Sequence, residues 1–297
     1  MPRRWISFAT LALVMLLWSG NAIAGRAVRE DIPPFTLALV RWTGALIVML
    51  PFAARHLVAD RATLLGAWKP VLLLGLTGVA SFNALLYSGL RHTTAANAML
   101  LQAAIPALVL VFDRLFFRLR STCQQVVGVG LSGLGVVAII AKGTPAALLH
   151  LHFGLGDLLV MAAVVAWALY TSLLRIRPAV QPLSFLVVTF TIAALTMAPL
   201  AVHEWTSGAV VRWNGTVVWA CIYVALFPSA IAYMLYNAAV AELGAARAGQ
   251  TITLMPLLGA LLAAGLLDEP LFGFHFVGMA LILLGIVVGS LRRRGGA

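Results

Sequence analysis

Charge is what this sequence has least of. Only 10% of its 297 residues are charged while 62% are apolar, and a soluble domain carries roughly 25% charged residues. Such a chain has too little polar surface to cover the core it would form in water, which excludes a soluble globule. Acids are scarcer still, with nine Asp and Glu against twenty Lys and Arg. Two cysteines, Cys123 and Cys221, supply neither a disulfide framework nor a metal quartet. His203-Glu204 lacks the second histidine of a helix-borne zinc site. No Ser or Cys nucleophile has a base beside it in the sequence pattern. The sequence therefore points away from an enzyme and predicts neither metal nor cofactor. A net charge of +11 would suggest nucleic acid in a soluble protein. Here the basic residues separate apolar runs, so membrane orientation explains them and no nucleic-acid partner is expected.

What the sequence does have is long apolar runs, near 6–25, 35–55, 70–90, 94–112, 124–141, 157–174, 184–202, 217–241, 245–267 and 273–290. Runs of this length read as bilayer-spanning helices of roughly 20 residues. The expected fold is an all-α polytopic membrane protein of ten transmembrane helices. The first run follows Arg3-Arg4 and contains Ala22-Ile23-Ala24, which resembles a signal-peptide cleavage site. It is read instead as a retained span, because the repeat described next requires it.

Loop charge sets orientation, since short cytoplasmic loops collect Lys and Arg. With the N-terminus inside, the cytoplasmic side receives Arg3, Arg4, Arg55, Arg61, Lys69, Arg114, Arg118, Arg120, Arg175, Arg177, Arg247 and Arg292 to Arg294. The other side receives only Arg26, Arg29, Arg91, Lys142 and Arg212, with Arg41 left inside a span. This asymmetry places both termini in the cytoplasm and requires an even number of spans.

A repeat divides the chain. Shifting residues 95–137 by 150 aligns Ala95-Ala96-x-Ala98 with Ala245-Ala246-x-Ala248, Pro106 with Pro256, Val127-Gly128 with Val277-Gly278, and Leu134-Gly135-x-Val137 with Leu284-Gly285-x-Val287. At nearly the same offset Trp18 meets Trp167, Arg26 meets Arg175 and Pro51 meets Pro199. The division expected is 1–145 and 146–297, five spans each. An odd number of spans forces the second half to enter the membrane from the opposite side. Such inverted repeats characterise secondary transporters, whose substrate site lies near the midplane between halves.

The acids and histidines fall in loops or at span ends, so Arg41 is the one ionisable residue well inside a run. It could snorkel to the interface, attract a substrate carboxylate, or serve as a structural hydrogen-bond donor. The lack of a central carboxylate argues against a proton-coupled exporter of cationic drugs, which needs a group that either a proton or the cation can neutralise. Polar and aromatic residues mark the candidate cavity. Trp18 and Asn21 share a helix face, and Trp167 and Tyr170 repeat their spacing; Asn83 and Tyr87 lie four apart; Tyr233, Tyr236 and Asn237 form one stripe. Asn97, Gln102 and Gln250 precede the paired prolines Pro106 and Pro256, which could bend their helices as gating hinges. Amides and phenols can bind amino and carboxyl groups while rings bury an apolar side chain. Each alone could instead join helices or belong to an interface belt. The glycine-rich fifth and tenth runs favour close packing, as a scaffold or dimer face, so a monomer or weak homodimer is expected.

Two five-helix halves, each with an Ala-rich start, a proline within the fourth helix and a Gly-rich closing helix, resemble the EamA-type drug/metabolite transporters over nearly the whole chain. Ala245-Ala246-Arg247-Ala248, Met255-Pro256, Leu267-Asp268-Glu269-Pro270 and Gly278 to Gly285 carry the pattern. The family's Glu after the proline helix is Glu269 in the second half but Leu119 in the first, which bears on loop structure. Leu17-Trp18-Ser19-Gly20-Asn21 and Arg41-Trp42 look most similar to the amino-acid exporters, including the YddG-type aromatic amino-acid exporters. The resemblance implies export of amino acids or related small metabolites across a bacterial inner membrane by alternating access.

Overall fold

The computed structural model describes residues 2–93, 98, 101–141, 154–267 and 272–290. Asn97 and the Asp268-Glu269-Pro270 motif lie outside them. Every described secondary-structure element is helical. In chain order these are α1 (Pro2–Ala27), α2 (Pro34–Gly66), α3 (Trp68–Gly89), α4 (Ile105–Phe117), α5 (Cys123–Ile140), α6 (Leu155–Leu173), α7 (Pro182–Thr206), α8 (Gly215–Leu243), α9 (Ala245–Gln250), α10 (Leu254–Leu267) and α11 (Gly273–Ser290). Six of these segments are long and apolar enough to cross a bilayer, and α5 and α11 are shorter apolar helices. Large side chains such as Ile47, Leu195 and Trp219 are about 70% exposed (69%, 69% and 72%). Outward apolar surface of this kind suits lipid, not water.

Among the described residues the apolar runs coincide with helix, with departures in the second, ninth and fourth. α2 runs past Pro51 to Gly66, and its second half exposes Arg55, His56 and Arg61. At 1.5 Å per residue its 33 residues span about 50 Å, well beyond a hydrocarbon core of about 30 Å. The ninth run is split into α9 and α10 by a 3₁₀ turn at Thr251–Thr253. The fourth run is interrupted by a turn at Ala103–Ala104, so Pro106 and Pro256 stand in the first turns of α4 and α10, not within continuous helices. There the missing N–H costs nothing, because first-turn N–H groups have no intrahelical acceptor.

The helices pair across the two halves. α5 packs on α11 and α2 on α7, while α1 packs on α8 and α3 on α6. This pattern maps onto itself when each helix is exchanged for its repeat equivalent. The sense of α5 against α11 is fixed by backbone approach. A Cβ on Gly128 would lie 2.5 Å from the Gly285 carbonyl oxygen, and one on Gly135 would lie 2.6 Å from that of Gly278. Gly128 and Gly278 are repeat equivalents, as are Gly135 and Gly285, so the two helices run antiparallel. At their crossing Ser132 Oγ donates to the carbonyl of Ile282, its own equivalent, at 3.3 Å. α2 and α7 are antiparallel too, and each caps the other. Glu204 near the end of α7 accepts from the Phe35 and Thr36 N–H groups at 3.0 and 2.8 Å. Asp60 near the end of α2 accepts from the Gln181 N–H at 3.0 Å. A carboxylate at a helix N-terminus satisfies orphan donors and the dipole together, which explains why the scarce acids gather at span ends.

Candidate functional site

Two π-helical segments shape the centre of the molecule, Gly75–Ser81 within α3 and Leu226–Ile231 within α8. They occupy equivalent places in the two halves, and π-segments free backbone carbonyls from the regular ladder. Pro228 has no N–H to donate, and the Ser229 hydroxyl donates to Val224 O at 2.6 Å. The Pro228 carbonyl accepts from Trp18 Nε1 at 2.9 Å. Its equivalent, the Gly78 carbonyl, accepts from the Tyr233 hydroxyl at 2.8 Å.

Beyond these segments lies a cavity of about 1040 Å³. Its walls come from α1 (Trp18, Ser19, Asn21, Gly25), α2 (Pro34, Leu37, Arg41), α3 (Phe82, Asn83, Leu86, Tyr87), α4 and the residues before it (Ala98, Gln102, Ile105), and Thr253, Met255 and Pro256. The mouth reaches the surface at exposed Arg29, Glu30, Arg91 and His92, where Arg29 pairs with Glu30 at 3.1 Å. At the opposite end, Trp18, Trp167 and Tyr233 close the space, with Tyr236 packed behind them. Trp18 meets Trp167 edge to face at 5.0 Å and Tyr236 at 5.1 Å, and Trp167 meets Tyr233 at 5.6 Å.

Arg41 lies against this cavity and is 2% exposed, so it does not snorkel. Its Nε donates to Ser229 Oγ at 2.6 Å, and its Nη1 faces Asn21 Oδ1, Asn83 Oδ1 and Tyr87 Oη at 3.2, 3.0 and 2.9 Å. Nη2 has one long contact, 3.4 Å, to Pro228 O. The guanidinium also sits 4.6 Å from the centroid of the Trp42 ring. Among the described residues no carboxylate pairs with it. Neutral dipoles from α1, α3 and α8 thus hold a buried cation in one plane, with Nη2 the least satisfied nitrogen. A buried charge is costly unless compensated, and an anionic group entering the cavity would supply the missing countercharge.

The sequence-derived residues divide into two sets. Trp18, Asn21, Arg41, Asn83, Tyr87, Gln102, Trp167, Tyr233 and Pro256 line the cavity. Tyr170, Tyr236, Asn237, Gln250 and Pro106 do not. Tyr170 donates to Asn237 Oδ1 at 2.8 Å, and the Tyr236 and Thr171 hydroxyls meet at 3.1 Å, binding α6 to α8 on the closed side. Gln250 donates to the Gly285 carbonyl at 2.7 Å and fills the groove beside Gly128 and Gly289; it is a strut between α9 and α11. Sequence reasoning missed Ser19, Phe82, Ser229 and Thr253. The adjacent Pro228-Ser229 inside an apolar run was the available signal, because a proline there disrupts the hydrogen-bond ladder and a neighbouring hydroxyl can repair it.

Comparison with known proteins follows from this geometry. The model of the EamA-like transporter family matches residues 4–141 and again 154–291. The uncharacterized transporter YyaM of Bacillus subtilis is 29% identical over 74% of this chain and 72% of its own length. The uncharacterized transporter YetK of the same organism is 26% identical over 97% and 88%. A probable terminal-alkyne amino-acid exporter of Streptantibioticus cattleyicolor is 27% identical over 96% of this chain and 93% of its own. One solved crystal structure superposes with a TM-score of 0.71 over 95% of both chains at 21% identity, which shows the fold.

Proposed function

This chain belongs to the EamA-like transporter family, and from that premise we propose that it exports amino acids, aromatic or neutral, or related small metabolites. It is a multi-pass membrane transporter and not an enzyme. In the reading proposed, ten spans form two inverted halves, 1–145 and 146–297, in a bacterial inner membrane with both termini cytoplasmic. Substrate crosses by alternating access through the central cavity, and the protein works as a monomer or weak homodimer.

The observation that carries this reading is Arg41. A cation inside the cavity, held by neutral acceptors and without a carboxylate partner among the described residues, suits a substrate that brings its own carboxylate. The rings of Trp18, Phe82 and Trp167 offer apolar contact to a side chain extending from that anchor. The amino-acid exporter among the relatives supports the same substrate class. Counterflow in proteoliposomes with a panel of amino acids and amines, at two pH values, tests it. Uptake of carboxylate-bearing solutes is expected. Transport confined to amines, or of nothing in the panel by folded protein, would sink the substrate assignment.

A further inference from the structure

Repeat equivalence makes the two sides of the molecule directly comparable, and they differ. On the closed side Leu173, Leu174, Ala239 and Val240 are buried between α6 and α8. Their equivalents are Ala24 and Gly25 of α1, at an offset of 149, and Gly89 and Leu90 of α3, at the offset of 150 that pairs Gly78 with Pro228; of these Ala24, Gly25 and Leu90 are half-buried about the cavity mouth. The same junction is shut in one half and open in the other.

The shut junction is held by the Tyr170–Asn237 and Thr171–Tyr236 hydrogen bonds. It is incompletely satisfied, because Asn237 Nδ2 is buried with no hydrogen-bond partner. A half-satisfied buried amide destabilises the closed arrangement and gains a partner when water enters. On the mouth side, the residues equivalent to Tyr170 and Asn237 are Asn21 and Tyr87, and they too are bonded, Tyr87 Oη donating to Asn21 Oδ1 at 3.1 Å.

Other contacts tie helices that line opposite junctions. At the closed side Ser7 of α1 donates to Glu242 of α8 at 2.7 Å. At the mouth side Thr93, just beyond α3, donates to Asp157 of α6. Ser7 and Glu242 are equivalent to Gly156 and His92, which stand next to Asp157 and Thr93, so a like tie is made on both sides with donor and acceptor exchanged. α3 and α6 also touch backbone to backbone, a Cβ on Gly89 lying 2.8 Å from the Gly156 carbonyl. Tyr223 of α8 donates to Leu17 O of α1 at 3.1 Å.

We propose that the bodies which move are not the two sequence halves. One is α1 with α8, the other α3 with α6, and Tyr170–Asn237 with Thr171–Tyr236 is the gate that parts when they rock. Opening the α6–α8 junction and closing the α1–α3 junction is then one motion, since each junction has one helix from either body. The aromatic cluster at the centre is the fulcrum, and the Ser7–Glu242 and Thr93–Asp157 ties persist throughout. This rests on the alternating-access reading but not on the substrate assigned.

Spin-label distances in liposomes test it, with Cys123 and Cys221 replaced by alanine and labels at exposed positions. Ile6 with Ala241 reports within one body, and Ile176 with Ala241 reports across the gate. The within-body pair is expected to give one narrow distance. The gate pair is expected to gain a second population longer by about 5 Å, roughly one helical turn, which Tyr170→Phe with Asn237→Ala should enlarge. A split distance for Ile6–Ala241, or a single distance for Ile176–Ala241 even with the gate substitutions, overturns the proposal. Failure to transport the amino-acid panel would leave these distances unchanged and count only against the substrate.

Discussion

Trp18 and Trp167 hold equivalent positions in the two halves and touch each other, edge to face, with ring centroids 5.0 Å apart. A residue that meets its own equivalent lies on the axis relating the repeats. Trp42 and Phe190, related by the offset that pairs Pro51 with Pro199, do the same at 4.8 Å, and Ser132 and Ile282 mark a third point. The approximate two-fold axis thus passes through the aromatic cluster that floors the cavity, which is where a solute offered to either side in turn would have to sit.

Arg41→Gln removes the fixed charge. Loss of one charge-assisted contact of about 1.5–3 kcal/mol lowers transport of carboxylate-bearing substrates by roughly 10- to 100-fold. Arg41→Lys keeps the charge but not the fork that reaches Ser229 and Nη1's acceptors at once, so it falls between wild type and Gln. Counterflow rates on protein of confirmed fold decide this, and equal rates for all three would remove Arg41 from the site.

Trp18→Phe keeps a ring on the axis but removes the shorter of the two hydrogen bonds to the Pro228 carbonyl. A thermal shift corresponding to about 1 kcal/mol is expected. Trp18→Ala opens a void costing about 3–5 kcal/mol and abolishes transport. If Trp18→Ala melts like wild type, the packing assigned to this residue is wrong.

Gly285→Leu forces α5 and α11 apart, because a Cβ at Gly285 would lie 2.5 Å from the Gly128 carbonyl and 2.3 Å from Ser132 Oγ. Melting temperature falls sharply. Gly130→Leu, where nothing lies within 4 Å, is the control and should melt within a degree or two of wild type.

Transport of neutral amino acids is expected to vary less than about threefold between pH 6 and 8. The cavity interior holds no carboxylate among the described residues, and Glu30 and His92 stand only at its exposed mouth. Proton coupling through a buried acid would produce a steep dependence. Rates measured with internal and external pH clamped equal provide the check.

Much of this architecture was legible in the sequence because bilayer helices must be long, apolar and self-satisfied in hydrogen bonds. The Gly128/Gly278 and Gly135/Gly285 matches marked the repeat and two closely packing helices, but not that those helices pack on each other. The division of the polar stripes was not legible. Tyr233 and Tyr236 lie three residues apart on one face, yet only Tyr233 borders the cavity, because helix period fixes a direction and says nothing of how far along it a void extends. Gln250 and Gln102 occupy neighbouring places in related segments, but Gln250 is spent on the Gly285 carbonyl. Ser229 escaped notice because its role comes from the π-segment around it, and an extra residue in a helical turn leaves no periodic mark.

The reciprocal caps between α2 and α7 also constrain the order of assembly. Glu204 lies 168 residues after Thr36, so when α2 first enters the bilayer its leading N–H groups have no protein acceptor, and they acquire one only after the end of α7 has been synthesised. The same holds in reverse for Gln181, whose acceptor Asp60 waits 121 residues for its donor. Neither half can finish its own second helix. The chain is therefore two copies by descent but one unit in folding, completed late and from both ends at once.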